Sequence, residues 1–257
     1  MGKCLWGEDC KWAHRPRPPP PNNHAPLVAE VMKTYPVFAL IADQPCLVVG
    51  GGEVGERKVR DLLEAGARVT VVSRTLTPAL KEMAARGEIN YRQEDFTPEH
   101  LAGMMLVVGA TDDPEVNARV SAAARSRGIW VNIVDAPDLC TFIVPAQVRR
   151  GDLTVAISTG GASPALARKL RQELEQYFGP EYNRYLRLLQ GVRDRLLAGR
   201  RGHPDNAALF QRLVDSPLKQ ALAQENQEWT INILEDILTP TLHSTLLAEL
   251  VETAFKE

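Results

Sequence analysis

The feature that most constrains this chain is a short apolar run that ends in clustered glycines. Pro45 to Gly50 reads PCLVVG, and Gly51, Gly52, Glu53, Val54 and Gly55 follow. Gly50, Gly52 and Gly55 satisfy the pattern G-x-G-x-x-G. A helical pattern begins at once, with apolar residues at Val54, Val59, Leu62 and Leu63 and a stop at Gly66. A strand that turns through such glycines into a helix is the setting in which a dinucleotide is bound. Gly50 permits the tight turn, Gly52 lets the backbone approach a pyrophosphate, and Gly55 lets the helix lie close to the strand. The amides that open the helix, at Glu53 and Val54, face the same place, where the helix dipole favours negative charge. The alternative is a purely structural glycine turn in another α/β protein.

The alternation continues downstream. Residues 67–72, 89–92, 104–109 and 129–134 read as further strands, and residues 78–85 and 114–126 as helices, with Thr97 opening a short helical turn. Continuously apolar strands that alternate with helices imply a parallel sheet covered on both faces. The expected fold class is therefore α/β, with a Rossmann-type parallel-sheet domain over residues 32–143. After Thr141 the pattern changes. Thr141 to Ala146 and Leu153 to Ser158 are strand-like and are separated by an Arg149-Arg150-Gly151-Asp152 turn. Gly160-Gly161 and a helix from Pro164 to Tyr177 follow, making a small region over 144–178. Residues 179–257 read as helical, with breaks at Gly179-Pro180 and Gly202-His203-Pro204. Residues 1–31 hold Arg15-Pro16-Arg17 and Pro18 to Pro21, which cannot build a core. They read as a disordered extension or as an artefact of start-site choice.

A formal net charge of -2 argues against nucleic acid or a membrane surface as the main partner. No apolar run reaches the roughly 18 residues of a membrane span. The start lacks an apolar signal core, so a cytoplasmic protein is expected. Cys4, Cys10, His14 and His24 fit no compact zinc spacing and lie among prolines, so no metal site is expected. Cys46 and Cys140 sit in apolar contexts that suit reduced thiols.

In this kind of fold an acid at the end of the second strand bonds the ribose of NAD. Here that position reads Ser73-Arg74-Thr75, without an acid. Arg74 either pairs with the extra phosphate of NADP or lies over the adenine. Arg74 and Thr75 are thus expected cofactor contacts, and the class of cofactor is firmer than its identity.

Four motifs carry a family resemblance: Val48 to Lys58 around the glycines; Ala110-Thr111-Asp112-Asp113 with Val116-Asn117; Val131 to Pro137; and Ser158 to Pro164. In order and spacing, from about Met32 to about Tyr177, the chain resembles precorrin-2 dehydrogenase, the dehydrogenase/ferrochelatase module of siroheme synthases. The resemblance implies NAD-dependent oxidation of precorrin-2 to sirohydrochlorin. In some relatives ferrous iron is then inserted, as a substrate, to give siroheme. It implies a homodimer whose dimerisation region is residues 144–178, a reading that the apolar residues around Phe142 to Val144 and Val155 to Ile157 also suit. No uroporphyrinogen methyltransferase domain is expected in these residues. Fused bacterial relatives carry a phosphorylatable serine where this chain has Thr159.

The resemblance places Thr111 at the cofactor and makes Asp135, of the Asp-Ala-Pro motif, the general base, with metal insertion assigned to it as well. Asp135 follows an apolar strand at the sheet's carboxyl edge, where ligands bind, and its carboxylate can accept a proton. Alternatively it only turns the chain before Pro137. Thr159, Gly160, Gly161 and Ser163 precede a helix and suit an anionic, polycarboxylate substrate, with Arg149, Arg150, Arg168 and Lys169 as nearby cations. Ser163 also reads as an ordinary N-cap ahead of Pro164. Asp112 and Asp113 read better as helix-start charges than as substrate ligands. Two other functions compete: a nucleotide-sensing regulatory module, and a non-catalytic tetrapyrrole or iron delivery scaffold. The first would end its second strand with an acid, and Asp135 argues against the second.

Overall fold

The computed structural model of the chain describes residues 32–239 and 241–256. The N-terminal extension, with Cys4, Cys10, His14 and His24, lies outside the described residues.

Five parallel strands form the first sheet: β1 (Pro45–Val49), β2 (Arg68–Val72), β3 (Asn90–Arg92), β4 (Leu106–Gly109) and β5 (Trp130–Ile133), in the order β3-β2-β1-β4-β5. The helices between them are α1 (Glu53–Glu64), α2 (Pro78–Ala85) and α3 (Pro114–Ser126), and a 3-10 turn at Pro98–Leu101 leads into β4. Alternate residues of a strand face opposite sides, and here both sides are buried. Cys46, Val48, Val69 and Val71 meet Val59, Leu62, Leu80 and Met83 on one face. Leu47, Val49, Val107 and Val131 meet Leu101, Val120 and Ala124 on the other. The continuously apolar runs of the central strands β1 and β4 thus arise because neither of their faces meets water, whereas the edge strand β3 is largely exposed. The strand order reverses between β1 and β4, so the crevice for a ligand opens where these two strands end.

The next region departs from expectation. The strand expected at Thr141 to Ala146 forms instead at β6 (Ala146–Arg150), which pairs antiparallel with β7 (Leu153–Ile157). Thr141 is already engaged with β5: its amide donates to the Val131 carbonyl at 2.8 Å, and its Oγ1 accepts from the Val131 amide at 2.8 Å. Pro145 then has no amide to offer a ladder. Arg149 and Arg150 are consequently strand residues, and the turn is only Gly151-Asp152, with Gly151 at φ +57. The fourth strand also starts two residues later than expected, at Leu106.

Helix α4 (Pro164–Tyr177) is amphipathic but has no buried residue. The rest of the described chain is helical: α5 (Glu181–Arg200), α6 (Asp205–Asp215), α7 (Leu218–Ala223), α8 (Gln227–Leu238) and α9 (Ser244–Phe255). These helices enclose their own core, with Leu188, Val192, Leu213, Leu222, Leu234 and Leu247 fully or almost fully buried.

Candidate cofactor and catalytic site

The glycine loop closes over the end of β1. Gly50 has φ +116, and a Cβ there would lie 2.3 Å from the carbonyl oxygen of Ala110. A Cβ on Gly55 would lie 2.2 Å from the Gly50 oxygen. Both glycines are therefore demanded by the protein's own packing. Gly52 is different. It has ordinary backbone angles, φ -80 and ψ -175, and a Cβ there meets nothing within 4 Å. The space over Gly52 is open, as a pyrophosphate approach requires. No side chain caps α1, and the first amides of a helix, here at Glu53, Val54 and Gly55, have no helical acceptor. Glu56 is held sideways, accepting from Thr77 Oγ1 at 2.7 Å and from Arg60 at 2.8 Å. These bonds, Thr77's first, keep its carboxyl below the usual range. The cradle fits a dinucleotide phosphate.

The exit of β2 lies against this loop. A Cβ on Gly51 would meet the Thr75 carbonyl oxygen at 2.2 Å, and the Thr77 amide donates to the Gly51 carbonyl at 3.0 Å. Thr75 thus touches the loop through its backbone. Arg74 is engaged by an acid that sequence reasoning missed. Its Nε and Nη2 donate to Oδ1 and Oδ2 of Asp95 at 2.6 and 2.8 Å. Asp95 lies beyond the third strand, 21 residues away from Arg74, and only the parallel pairing of β2 with β3 brings the two together.

At the exit of β4, Thr111 is fixed by Asn117 of α3. Asn117 Nδ2 donates to the Thr111 carbonyl at 2.9 Å, and Thr111 Oγ1 donates to Asn117 Oδ1 at 2.9 Å. Asn117, part of the Val116-Asn117 motif, is thus a positioning residue whose role only the fold reveals. Asp113 accepts from the amides of Glu115 and Val116 at 2.8 and 3.3 Å and so caps α3. The helix-start reading of Asp113 holds.

Asp135 follows β5, beside the β4 exit, where the Val134 amide donates to the Gly109 carbonyl at 2.9 Å. Its backbone is left-handed, φ +59, a conformation in which Asp is over-represented among non-glycine residues. The turn is fastened from behind. Cys140 Sγ accepts from the Ile133 amide at 3.2 Å and lies 3.3 and 3.4 Å from the carbonyl oxygens of Ile133 and Ala136. Arg125 of α3 donates to the carbonyls of Asp138 and Cys140 at 2.9 and 2.8 Å. The Asp135 side chain is exposed and makes no hydrogen bond or ion pair within the described residues. Its carboxylate caps nothing among the described residues.

The loop from Thr159 to Ser163 uses its own polar groups. Thr159 Oγ1 accepts from the Ser163 amide at 3.2 Å and donates to the Ser163 carbonyl at 3.2 Å. Ser163 Oγ accepts from the Leu166 amide at 3.2 Å and caps α4, with Pro164 in the first turn. The Gly160 carbonyl accepts from the Met32 amide at 3.1 Å. Three of the four expected cations, Arg149, Arg150 and Lys169, have partners of their own. In the β6–β7 register Arg149 and Arg150 lie at the turn end, away from Thr159, because Ala146 rather than Arg149 pairs with Ile157. Arg149 pairs with Glu64 at 2.9 Å, and Arg150 donates to the carbonyls of Glu175 and Phe178. Lys169 faces Glu173 at 3.7 Å.

Among the described residues no three His, Cys, Asp or Glu side chains gather as metal ligands. No helix there is long and apolar enough to cross a membrane.

Comparison with known proteins agrees with this arrangement. Residues 37–146 match a family described as putative NAD(P)-binding, and residues 150–177 match the central part of sirohaem biosynthesis proteins. A siroheme synthase of Methylobacillus flagellatus is 52% identical over 153 residues, which cover 60% of this chain and 33% of that protein. A siroheme synthase of Methylococcus capsulatus is 42% identical over 200 residues, covering 77% of this chain and 42% of that protein. The chain thus spans less than half the length of these relatives. A solved structure of SirC, a precorrin-2 dehydrogenase, superposes with a TM-score of 0.64 at 27% identity and covers 79% of this chain and 98% of its own.

Proposed function

The chain belongs to the family of the siroheme synthase dehydrogenase module, and from that premise we propose that it oxidises precorrin-2 to sirohydrochlorin with NAD. The observation that carries the reading is the open space over Gly52 at the uncapped start of α1. Nothing in the protein's own packing asks for glycine there, whereas a pyrophosphate laid on the loop does.

Bound in this cradle, a nicotinamide would supply the acceptor for a hydride, two electrons and one proton, from the macrocycle. The chain's residues do the rest. Gly52, Glu53, Val54 and Gly55 would hold the pyrophosphate with backbone amides, while Gly50, whose own amide donates to the Val72 carbonyl at 3.0 Å, makes the turn beneath it. Arg74 and Thr75 flank the adenosine end, and Thr111, fixed by Asn117, borders the nicotinamide end. Asp135 accepts the proton that the substrate carbon or pyrrole nitrogen must lose, which balances the two-hydrogen oxidation. Thr159, Gly160, Gly161 and Ser163 line the approach of the substrate carboxylates, although the two hydroxyls and the amides of Gly160 and Ser163 are engaged within the loop.

The same carboxylate suits a later step in which ferrous iron, as substrate, displaces pyrrole protons to give siroheme. A homodimer built on residues 144–178 completes the reading, with cytoplasmic action on a soluble tetrapyrrole. The test is absorbance at the sirohydrochlorin maximum after purified protein, precorrin-2 and NAD are mixed, repeated with ferrous ion. NAD-dependent appearance of sirohydrochlorin is expected. No spectral change with folded protein would overturn the dehydrogenase reading. A change that ferrous ion leaves unaltered would remove the chelatase alone.

A further inference from the structure

We propose that the Arg74–Asp95 pair is the element that makes this site select NAD over NADP. The inference rests on the dinucleotide reading above and adds to it the residues that decide the ribose end.

The place is set by packing. Arg74 stands two residues beyond β2, on the segment that abuts the glycine loop through Gly51 and Thr75. In a sheet of this order, groups at that exit meet the adenosine ribose. The backbone there is fastened from the neighbouring strand. Tyr91 Oη donates to the Ser73 carbonyl at 3.0 Å, the Ser73 amide donates to the Arg92 carbonyl at 3.2 Å, and Gln93 Nε2 donates to the Arg74 carbonyl at 3.4 Å. The two parallel exits therefore bring Arg74 and Asp95 side by side.

The chemistry follows from the fork. A guanidinium binds phosphate best through two parallel N–H donors. In Arg74 two such donors, Nε and Nη2, are taken by the two oxygens of Asp95. A 2′-phosphate would be left the remaining Nη1 and Nη2 hydrogens and would sit beside the Asp95 carboxylate, a like charge that already neutralises the guanidinium. A ribose 2′-hydroxyl has no such conflict. It can donate to a remaining lone pair of Asp95 while Arg74 stays paired, because a carboxylate accepts several hydrogen bonds. Asp95 thus supplies, from the exit of the third strand, the acid that the second strand lacks. The pair is open to a ligand, with side chains 79% and 63% exposed. The charges around it are mixed: Asp113 acts on Arg74 and Arg119 on Asp95. An exposed pair of this kind contributes little to stability, so removing either partner leaves the fold in place.

The experiment is calorimetric titration of the full chain with NAD and with NADP, for wild type, Asp95→Asn, Arg74→Ala and the double variant. Wild type is expected to bind NAD more tightly. Asp95→Asn, which frees the guanidinium, is expected to strengthen NADP binding about tenfold or more while weakening NAD a few-fold. Arg74→Ala added to it should abolish the NADP gain, and Arg74→Ala alone should leave NAD preferred. An unmoved NAD-to-NADP ratio in Asp95→Asn, or a wild-type preference for NADP, would overturn the assignment with the dinucleotide site intact. Failure of wild type to bind either dinucleotide would instead remove the cofactor reading itself, and the inference with it.

Discussion

Gly50, Gly52 and Gly55 share one motif, yet they answer to different forces. Gly50 and Gly55 are required by contacts of 2.3 and 2.2 Å within the protein, and Gly52 by none. A substitution at Gly52 therefore separates folding from binding. Gly52→Asp should leave the melting temperature close to that of wild type and abolish NAD binding, because its carboxylate projects toward the pyrophosphate. Thermal melts and calorimetry on the same samples check both halves, and undiminished NAD affinity would take the loop out of the site. Asp135 gives the complementary case. Its carboxylate has no structural partner among the described residues, so Asp135→Asn should fold normally and bind NAD as before. Turnover should fall about 10²–10⁴-fold, the usual contribution of a general acid–base group. Steady-state kinetics against calorimetry separates the two effects, and wild-type turnover would reduce Asp135 to a turn residue.

At the level of elements, the parallel sheet was legible because burial on both faces leaves an unbroken apolar run, and glycine marks where the first run ends. The first strand of the β6–β7 hairpin was misplaced by about five residues, while the second lies where it was expected. Thr141 to Ala146 has strand composition, but Thr141 is spent on β5 and Pro145 brings no amide. Only tertiary pairing reveals that. The Arg74–Asp95 pair was illegible for a related reason, since it depends on two strand exits meeting. Helix α4 was legible as a helix, but its unburied state was not. Leu166 is 47% and Tyr177 66% exposed, and Val144 nearby in sequence is 41% exposed. An amphipathic helix with no buried residue offers an apolar stripe that a second copy of the chain could cover. On the homodimer proposed here, Leu166→Glu should shift light scattering from dimer toward monomer at micromolar concentration while the circular dichroism spectrum stays unchanged. A variant that remains as dimeric as wild type would move the interface off α4.

The described residues form separate cores, two on the faces of the sheet and one within the C-terminal helices. Cys46 reports on the first. It lies fully inside on β1, and burial raises its thiol from 9.0 to about 11. The folded chain then keeps a proton that the unfolded chain releases above pH 9, so between those two values the unfolded state binds fewer protons and stability declines as pH rises. Denaturant unfolding should show a falling midpoint between pH 9 and 11 that flattens in Cys46→Ala; an identical decline in the variant would assign it to other groups. The contact between Gly50 and Ala110 has its own consequence for how the protein is made. The floor of the cofactor loop is laid by residues about sixty positions further along the chain, so the first strand–helix–strand unit alone does not possess it. During folding, the chain must first pay the loop-closure entropy that brings β4 beside β1. Cofactor affinity is therefore a late-arriving property, acquired only when distant segments have docked, and a nascent chain halted before its fourth strand has the motif without the ability to use it.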